Sequence, residues 1–345
     1  MNEQENEKQG DAVSALSPFD WSDAGHVVVR AGESVNWDFS NPANFVKRVQ
    51  SIEYGLSAET EFAAILSWLG RCSLVHRLDQ DFFSSHSDQK WCIPDLFAIF
   101  EHDGTCMPVL IEVKTRNRER LALRTSDLES MQRYARALSL PLLVAWKPRR
   151  LGFWLLVDPI CAEKRGAKSI LSLGASMKND LLGPVAGDFL VVPKPNAGFF
   201  LDAKIIKKAR MTRTGFECLV EITKAEFRNA IGEPAKDLPG AIVAIIFSSS
   251  KIINEVTETE IHTSFVTRDQ PIHAQQILRT AVAFRQHGVK NIRWRHVAKD
   301  LGSYLSRDTL HDEIQNHFTT FVQYRFFLHP KVWPTFLPTG WNALP

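Results

Sequence analysis

Apolar and polar side chains alternate along two neighbouring stretches in the first third of the chain. Ile93–Phe100 and Pro108–Lys114 are rich in β-branched and aromatic residues, and His102, Asp103 and Gly104 lie between them. Residues of the first kind favour strands, whereas Asp and Gly favour tight turns. The pattern therefore predicts two strands joined by a short turn.

Apolar residues recur at helical spacing on either side of these strands. Ser57–Leu69 and Ser126–Leu138 are predicted as amphipathic helices. Short apolar stretches predict further strands at Cys72–Leu78, Leu140–Ala145 and Gly152–Val157. The predicted order is therefore helix, strand, strand, strand, helix, strand, with one more strand after it.

The middle of the chain is predicted to be a linker followed by a β-rich region. Residues 161–187 contain no clear long element and are predicted as the linker, and residues 188–269 hold the β-rich region. The strands predicted there are Asp188–Val192, Gly198–Ile206, Glu217–Ile222, Ala241–Phe247 and Ile261–Thr267, with a short helix at Thr223–Ile231.

The last part of the chain shows three helical patterns followed by a strand. They are His273–Arg285, Trp294–Leu301, Thr309–Phe318 and Phe321–Leu328. This order is similar to that of a winged helix-turn-helix domain. The third helix exposes His311, Asp312 and Gln315, which suits the DNA major groove poorly, so a winged helix that binds protein is the alternative. The predicted division is 1–44 as a tail and lead-in, 45–160 as a first domain, 161–187 as a linker, 188–269 as the β-rich region and 270–345 as a winged-helix-like domain.

Composition excludes several classes of protein. The net charge of +2 over 345 residues means that any nucleic-acid binding depends on local basic patches. The five cysteines lack CxxC spacing and the eleven histidines form no HxH or HExxH arrangement, which argues against a zinc site or a disulfide framework. No stretch approaches the roughly 20 apolar residues of a membrane span, and the first residues do not form a signal peptide. We therefore expect a soluble, cytoplasmic protein with no membrane partner.

Candidate chemistry lies at the ends of the two central strands. Because side chains alternate along a strand, Glu112 and Lys114 share one face, and Asp95 at the start of the neighbouring strand can reach them. Asp88 and Asp202 also begin [DE]-x-K triplets, but only the triplet at Glu112 follows a Pro-Asp pair at hairpin distance. Buried carboxylates need compensation, and oxygen ligands suit Mg²⁺ or Mn²⁺. The alternative is a salt bridge at a sheet edge.

Pro94-Asp95 and Glu112-Val113-Lys114 resemble the motif of the PD-(D/E)xK nuclease superfamily. The order of elements over Ser51–Asp158 resembles the αβββαβ core of this restriction endonuclease-like superfamily. The resemblance implies an α/β fold, with a mixed sheet flanked by helices and a site where the central strands diverge. It implies a metal-dependent deoxyribonuclease in which Mg²⁺ or Mn²⁺ is held by the carboxylates of Asp95 and Glu112 and by the Val113 carbonyl. Lys114 would orient the attacking water.

The resemblance also implies a glutamate from the first helix. At 100° per residue, Glu59 lies about 70° from the centre of the apolar stripe and Glu61 about 90° on the other side. We therefore predict Glu59 as the member of the site. One alternative is that Glu61 completes the site instead. Another is that both are solvated carboxylates of the first helical turn, where they favour the helix dipole.

A basic segment follows the triplet directly. Arg116, Arg118, Arg120 and Arg124 are predicted to contact DNA phosphates, which arginine binds bidentately. The alternative is a solvated loop or helix start, which is the usual role of a run of charge.

Within the superfamily, the sequence resembles TnsA-like transposon-end endonucleases and Holliday-junction resolvase or restriction-type enzymes, and a phage-defence nuclease is a third reading. The contrasting hypothesis is a catalytically degenerate nuclease fold that binds DNA or protein. DNA is the implied partner, and a protein partner through the C-terminal domain and a homodimer are further expectations. Residues 270–345 are expected to select substrate or partner, so truncation before Ile272 is expected to leave some nonspecific cleavage.

Overall fold

The computed structural model describes residues 58–79, 91–212, 215–285, 294, 297, 305–331 and 333–337, with the backbone alone over 208–212 and 215–218. The predictions for 1–44 concern residues outside these ranges. Of the helix predicted at Trp294–Leu301, only Trp294 and Val297 are described, and both are helical.

A mixed five-stranded sheet forms the centre of the N-terminal part. Its strands are β1 (Cys72–Arg77), β2 (Leu96–His102), β3 (Thr105–Arg116), β5 (Leu142–Pro148) and β6 (Leu155–Val157), in the order β1-β2-β3-β5-β6. The pair β3 and β5 is parallel, and the other neighbours are antiparallel. The α/β class predicted from the sequence is confirmed.

One helix covers each face of this sheet. Helix α1 spans residues 58–69, and α2 spans Thr125–Ala137. The stripe predicted for α1 is buried, because Phe62, Ile65 and Leu66 are at most 1% exposed. These side chains pack with Ile111 and Leu143 from one face of the sheet. From the other face, Leu110, Val144 and Trp146 pack with Leu128 and Met131 of α2.

The segment predicted as a linker is folded against the first domain. Strands β7 (Glu163–Arg165) and β8 (Lys168–Ser172) form a three-stranded sheet with β4 (Arg120–Arg124), in the order β4-β8-β7. Helix α3 (Leu173–Lys178) and a short π-helix (Leu182–Ala186) follow. The basic stretch at β4 is therefore a strand and neither a loop nor a helix start, since Leu121, Leu123 and Leu171 bury its inner face.

The middle region is a second five-stranded sheet. Its antiparallel strands are β10 (Gly198–Thr212), β11 (Gly215–Arg228), β12 (Pro234–Ala235), β13 (Ser250–Val256) and β14 (Glu260–Thr267), in the order β12-β11-β10-β14-β13.

Two predictions for this region are wrong. Ala241–Phe247 is not a strand but lies in helix α4 (Gly240–Ser249), since a short run that is apolar on every side does not distinguish the two. Thr223–Ile231 is not a helix, because β11 continues through it to Arg228 and pairs with β10. Pairing along a long ribbon outweighs local propensity there.

The C-terminal elements complete the same core. Strand β9 (Leu190–Pro193) is the centre of a three-stranded sheet, with β15 (Ile272–His273) on one side and β16 (Val322–Phe326) on the other. Along the chain, helices α5 (Ala274–Arg285) and α6 (Arg307–Asn316) come after β15 and before β16.

Contacts join this part to the first domain. Trp68 of α1 donates to the Leu305 carbonyl, and the Gln275 side chain pairs with both backbone groups of Trp154. The domain boundaries remain a prediction. None of the described helices is long and apolar enough to cross a membrane.

Candidate active site

Strands β2 and β3 separate where the candidate residues lie. Their pairing ends at Leu96 opposite Ile111, whereas β3 stays paired with β5 as far as Arg116. Asp95 directly precedes the last pair, and its Oδ2 accepts a hydrogen bond of 2.6 Å from the Val113 backbone N–H. The carboxylate therefore takes the place that a backbone carbonyl of β2 would otherwise occupy.

The Lys114 ammonium lies between the oxygen atoms that the sequence predicts as metal ligands. Its Nζ contacts the Glu112 carboxylate, donates to the Val113 carbonyl over 3.1 Å and lies 3.6 Å from Asp95 Oδ2. Asp95 and Glu112 are each 7% exposed, whereas the Lys114 side chain is 28% exposed. The structure thus brings these residues into contact with one another, and Lys114 is the most exposed of the three.

Burial sets the electrostatics of this cluster. It raises the pKa of Glu112 to about 7; the negative charge of Asp95 adds to the rise, and Lys114 opposes it. Burial lowers the pKa of Lys114, but the carboxylates of Glu112 and Asp95 outweigh that effect and the pKa is raised. Two carboxylates share one ammonium, so a further positive charge would stabilise the ionised cluster.

The two glutamates of α1 have different partners. Glu59 Oε2 lies 2.9 Å from Arg77 Nη2, and its charge is among those that raise the pKa of Lys114. Glu61 forms a buried ion pair with Lys147. Both glutamates are buried, so the alternative of solvated first-turn carboxylates is wrong. Glu59 therefore acts on the carboxylate cluster through its charge.

Sequence reasoning missed Arg77 and Lys147. Arg77 ends β1 and Lys147 lies in β5, a strand whose residues are all buried. Burial lowers the pKa of Lys147 although Glu61 raises it. A single charge in the run LLVAWKP was the signal available, because a lysine in a buried strand requires a partner.

The four predicted DNA-contacting arginines lie outside the carboxylate cluster. Arg116, Arg118, Arg120 and Arg124 are all exposed, and Arg116 donates to the neighbouring Thr115 carbonyl.

The proposed ligands are oxygen atoms, which suit a divalent cation, but the structure does not arrange them as a metal site. Asp95, Glu112 and the Val113 carbonyl offer the oxygen ligands that Mg²⁺ and Mn²⁺ prefer. In the part of the chain that the structure describes, no group of three or more His, Cys, Asp or Glu side chains is placed to hold a metal. These oxygen atoms would hold such a cation, and in the structure the Lys114 ammonium contacts the same atoms.

A comparison with models of protein families agrees with the motif. The model of the archaeal Holliday junction resolvase (Hjc) family matches residues 55–172. The solved structure of Archaeoglobus fulgidus Hjc, a Holliday junction resolvase from an archaeal hyperthermophile, is 20% identical, and the alignment covers 34% of this chain and 88% of that chain with a TM-score of 0.27. Among curated proteins no match was found. The match over residues 55–172, which contain Glu59, Asp95, Glu112 and Lys114, supports the resemblance to the PD-(D/E)xK, restriction endonuclease-like nuclease superfamily.

Proposed function

We propose that the protein is a Mg²⁺-dependent DNA endonuclease of the resolvase type, with Mn²⁺ as an alternative metal. The observation that carries the proposal is the convergence of Asp95, Glu112 and the Val113 carbonyl on one ammonium group at the divergence of two strands. The match of this region to a resolvase family supports it.

Asp95, Glu112 and the Val113 carbonyl are the proposed metal ligands. A metal held there would supply polarisation of the scissile phosphate and acidification of the attacking water. The hydrogen bond from the Val113 N–H holds the Asp95 carboxylate in its place beside the other two proposed ligands.

Lys114 has two proposed roles, one in the protein without metal and one in the cleavage reaction. Without metal, its ammonium offsets the charge of the buried carboxylates. In the cleavage reaction it would orient the attacking water and offset the charge that develops on the phosphate. Glu59 is the proposed helical member, and it acts on Lys114 from beside Arg77.

Branched DNA is the substrate to test first, because the matching family is named for Holliday junction resolution. Arg116, Arg118, Arg120 and Arg124 are proposed to hold backbone phosphates beside the site. The transposon-end and phage-defence readings, the homodimer and the protein partner remain predictions.

The test is a cleavage assay of the full chain on a four-way junction, a plasmid and a linear duplex, in Mg²⁺, Mn²⁺ or EDTA. We expect metal-dependent cleavage with the highest rate on the junction. Asp95→Asn is expected to abolish it, whereas Glu101→Gln, which changes an exposed carboxylate on β2, should leave it unchanged. Wild-type protein that binds DNA but never cleaves it would favour the degenerate, non-catalytic alternative.

A further inference from the structure

The outer face of the β4-β8-β7 sheet carries an unusual row of like charges. Arg124 of β4 lies directly opposite Lys168 of β8, and Lys168 lies directly opposite Arg165 of β7. Directly opposite residues of antiparallel strands project from the same face. Like charges in that position destabilise a sheet. A row of three cations across three strands is therefore a feature that folding alone does not favour.

The burial pattern shows that this row faces outward. Leu121, Leu123 and Leu171 form the inner face and are buried, whereas Arg124 and Lys168 are exposed. The Arg165 side chain is 53% exposed. The sheet thus has one apolar face packed on the nuclease core and one basic face in solvent.

Counter-charges within the protein do not neutralise the row. Among the residues that the structure describes, Arg165 pairs with Glu163, and no ion pair is found for Arg124 or Lys168. Arg124 is also the N-cap residue of α2, where the helix dipole disfavours a cation. Arg120 lies on the same outer face, so this face holds four cations, Arg120, Arg124, Arg165 and Lys168, against the single carboxylate of Glu163.

The spacing of the row suits a polyanion. Neighbouring strands lie about 4.8 Å apart, so Arg124 and Arg165 are separated by about 10 Å at the backbone. A strand of duplex DNA carries one phosphate for about every 3.4 Å of helix axis, and arginine binds phosphate bidentately. Successive phosphates of one DNA strand can therefore contact all three cations of the row. A single small anion is too short to do so.

The row is also close enough to the candidate active site for one duplex to reach both. Arg124 follows Lys114 by ten residues, so their Cα atoms are at most about 36 Å apart. One turn of DNA spans about 34 Å. A duplex arm a little longer than one turn covers the whole distance.

We propose that the cation row Arg124, Lys168 and Arg165 is a binding surface for the phosphate backbone of duplex DNA, outside the catalytic cluster. This inference rests on the proposed nuclease function and adds to it the surface that holds an arm of the substrate. The row supplies affinity without reading sequence, since phosphate contacts carry no base information.

The experiment measures DNA binding without cleavage. The full chain is titrated onto a fluorescein-labelled 30-base-pair duplex and a four-way junction in EDTA, at several NaCl concentrations. The triple variant Arg124→Ala, Lys168→Ala, Arg165→Ala is compared with a control that loses the same charge elsewhere, Lys178→Ala, Lys236→Ala, Lys251→Ala. All three control lysines are exposed and lie outside the β4-β8-β7 sheet.

The row variant is expected to lower the slope of log Kd against log salt by about 2 to 3, because each lost phosphate contact contributes about 0.9. Its affinity near 0.1 M salt should fall at least about tenfold, and the control should change neither value by a third as much. The melting temperature of the row variant without DNA should hold or rise, since repulsion across the sheet is relieved.

Several outcomes would overturn the proposal. They are an unchanged slope in the folded row variant, an equal loss in the control, or no DNA binding by the wild type. If the wild type cleaves DNA and the row variant binds DNA as tightly as the wild type, the inference about the row is refuted and the endonuclease proposal stands. Row-dependent binding by a wild type that never cleaves in Mg²⁺ refutes the endonuclease proposal alone.

Discussion

Replacing Glu112 by glutamine measures how much the buried negative charge of Glu112 lowers the free energy of unfolding. The glutamine side chain keeps the shape of Glu112 and can accept a hydrogen bond from Lys114, but it carries no charge. The variant therefore removes one of the two carboxylates that share a single ammonium, and leaves the bond from the Val113 N–H to Asp95 in place.

The size of this cost follows from the pKa of Glu112, which burial raises from 4.5 to about 7. That rise corresponds to about 3 kcal/mol between the protonated and ionised forms. The folded protein binds more protons than the unfolded chain between the two pKa values, so this group makes the free energy of unfolding fall as pH rises from about 4.5 to about 7. Above pH 7 the wild type carries the full cost, and Glu112→Gln should be as stable or more stable by up to about 3 kcal/mol.

The assay is thermal unfolding of both proteins from pH 5 to 8, in EDTA and in Mg²⁺. Burial raises the pKa of Asp180 to about 7 as well, so the informative quantity is the difference between the two curves at each pH. We expect the variant to gain stability relative to the wild type as pH rises, and Mg²⁺ to stabilise the wild type alone. A constant difference across pH, or equal stabilisation of both by Mg²⁺, would refute the reasoning.

Three further predictions use other parts of the structure. Glu59→Gln should slow cleavage at least about 100-fold across a Mg²⁺ titration, with little loss of stability. Glu61→Gln should lower the free energy of unfolding by roughly 3–5 kcal/mol, because it leaves Lys147 buried without its partner. If Glu61→Gln slows cleavage and Glu59→Gln lowers stability instead, Glu61 is the site residue. Gly198→Ala should destabilise by about 1–3 kcal/mol in chemical denaturation, since its Cβ would lie 2.2 Å from the Phe265 carbonyl oxygen; the matched change at Gly174, where the Cβ meets nothing within 4 Å, should be close to neutral. Truncation before Ile272 should give an unfolded or insoluble protein, as judged by circular dichroism, and a folded, active fragment would contradict this.

The central sheet and the carboxylate cluster could be predicted because their physical signals are local. Strand alternation alone puts Glu112 and Lys114 on one face, and a short turn brings Asp95 to the same end of the sheet. The apolar stripe of α1 likewise fixes its buried face. Each of these inferences needs only a few consecutive residues and the geometry of one element.

The elements that were missed depend on partners distant in sequence. Strand β4 pairs with β8, whose residues follow it by more than forty positions, so the basic stretch at Arg120 gives no local sign of being a strand. The run at α4 is apolar on every side, and its helical state follows from the elements that surround it. The partner of Lys147 lies 86 residues away at Glu61, which no periodicity reveals.

The same distinction explains why the C-terminal region was expected to be separable and why the structure argues otherwise. A change of pattern after residue 270 is a local signal, and it correctly marks new elements there. However, Ile277, Leu278 and Val282 of α5 are fully buried in the core that also contains α1. Fully burying such side chains stabilises a fold by about 1.5–3 kcal/mol each, so removing all three costs an amount comparable with the 5–15 kcal/mol that holds a typical domain folded. The Gln275 side chain adds bonds to both backbone groups of Trp154, next to the edge strand β6. The C-terminal region therefore helps to hold the central five-stranded sheet together, and any role it has in selecting a substrate or partner is carried out by a surface built on that shared core.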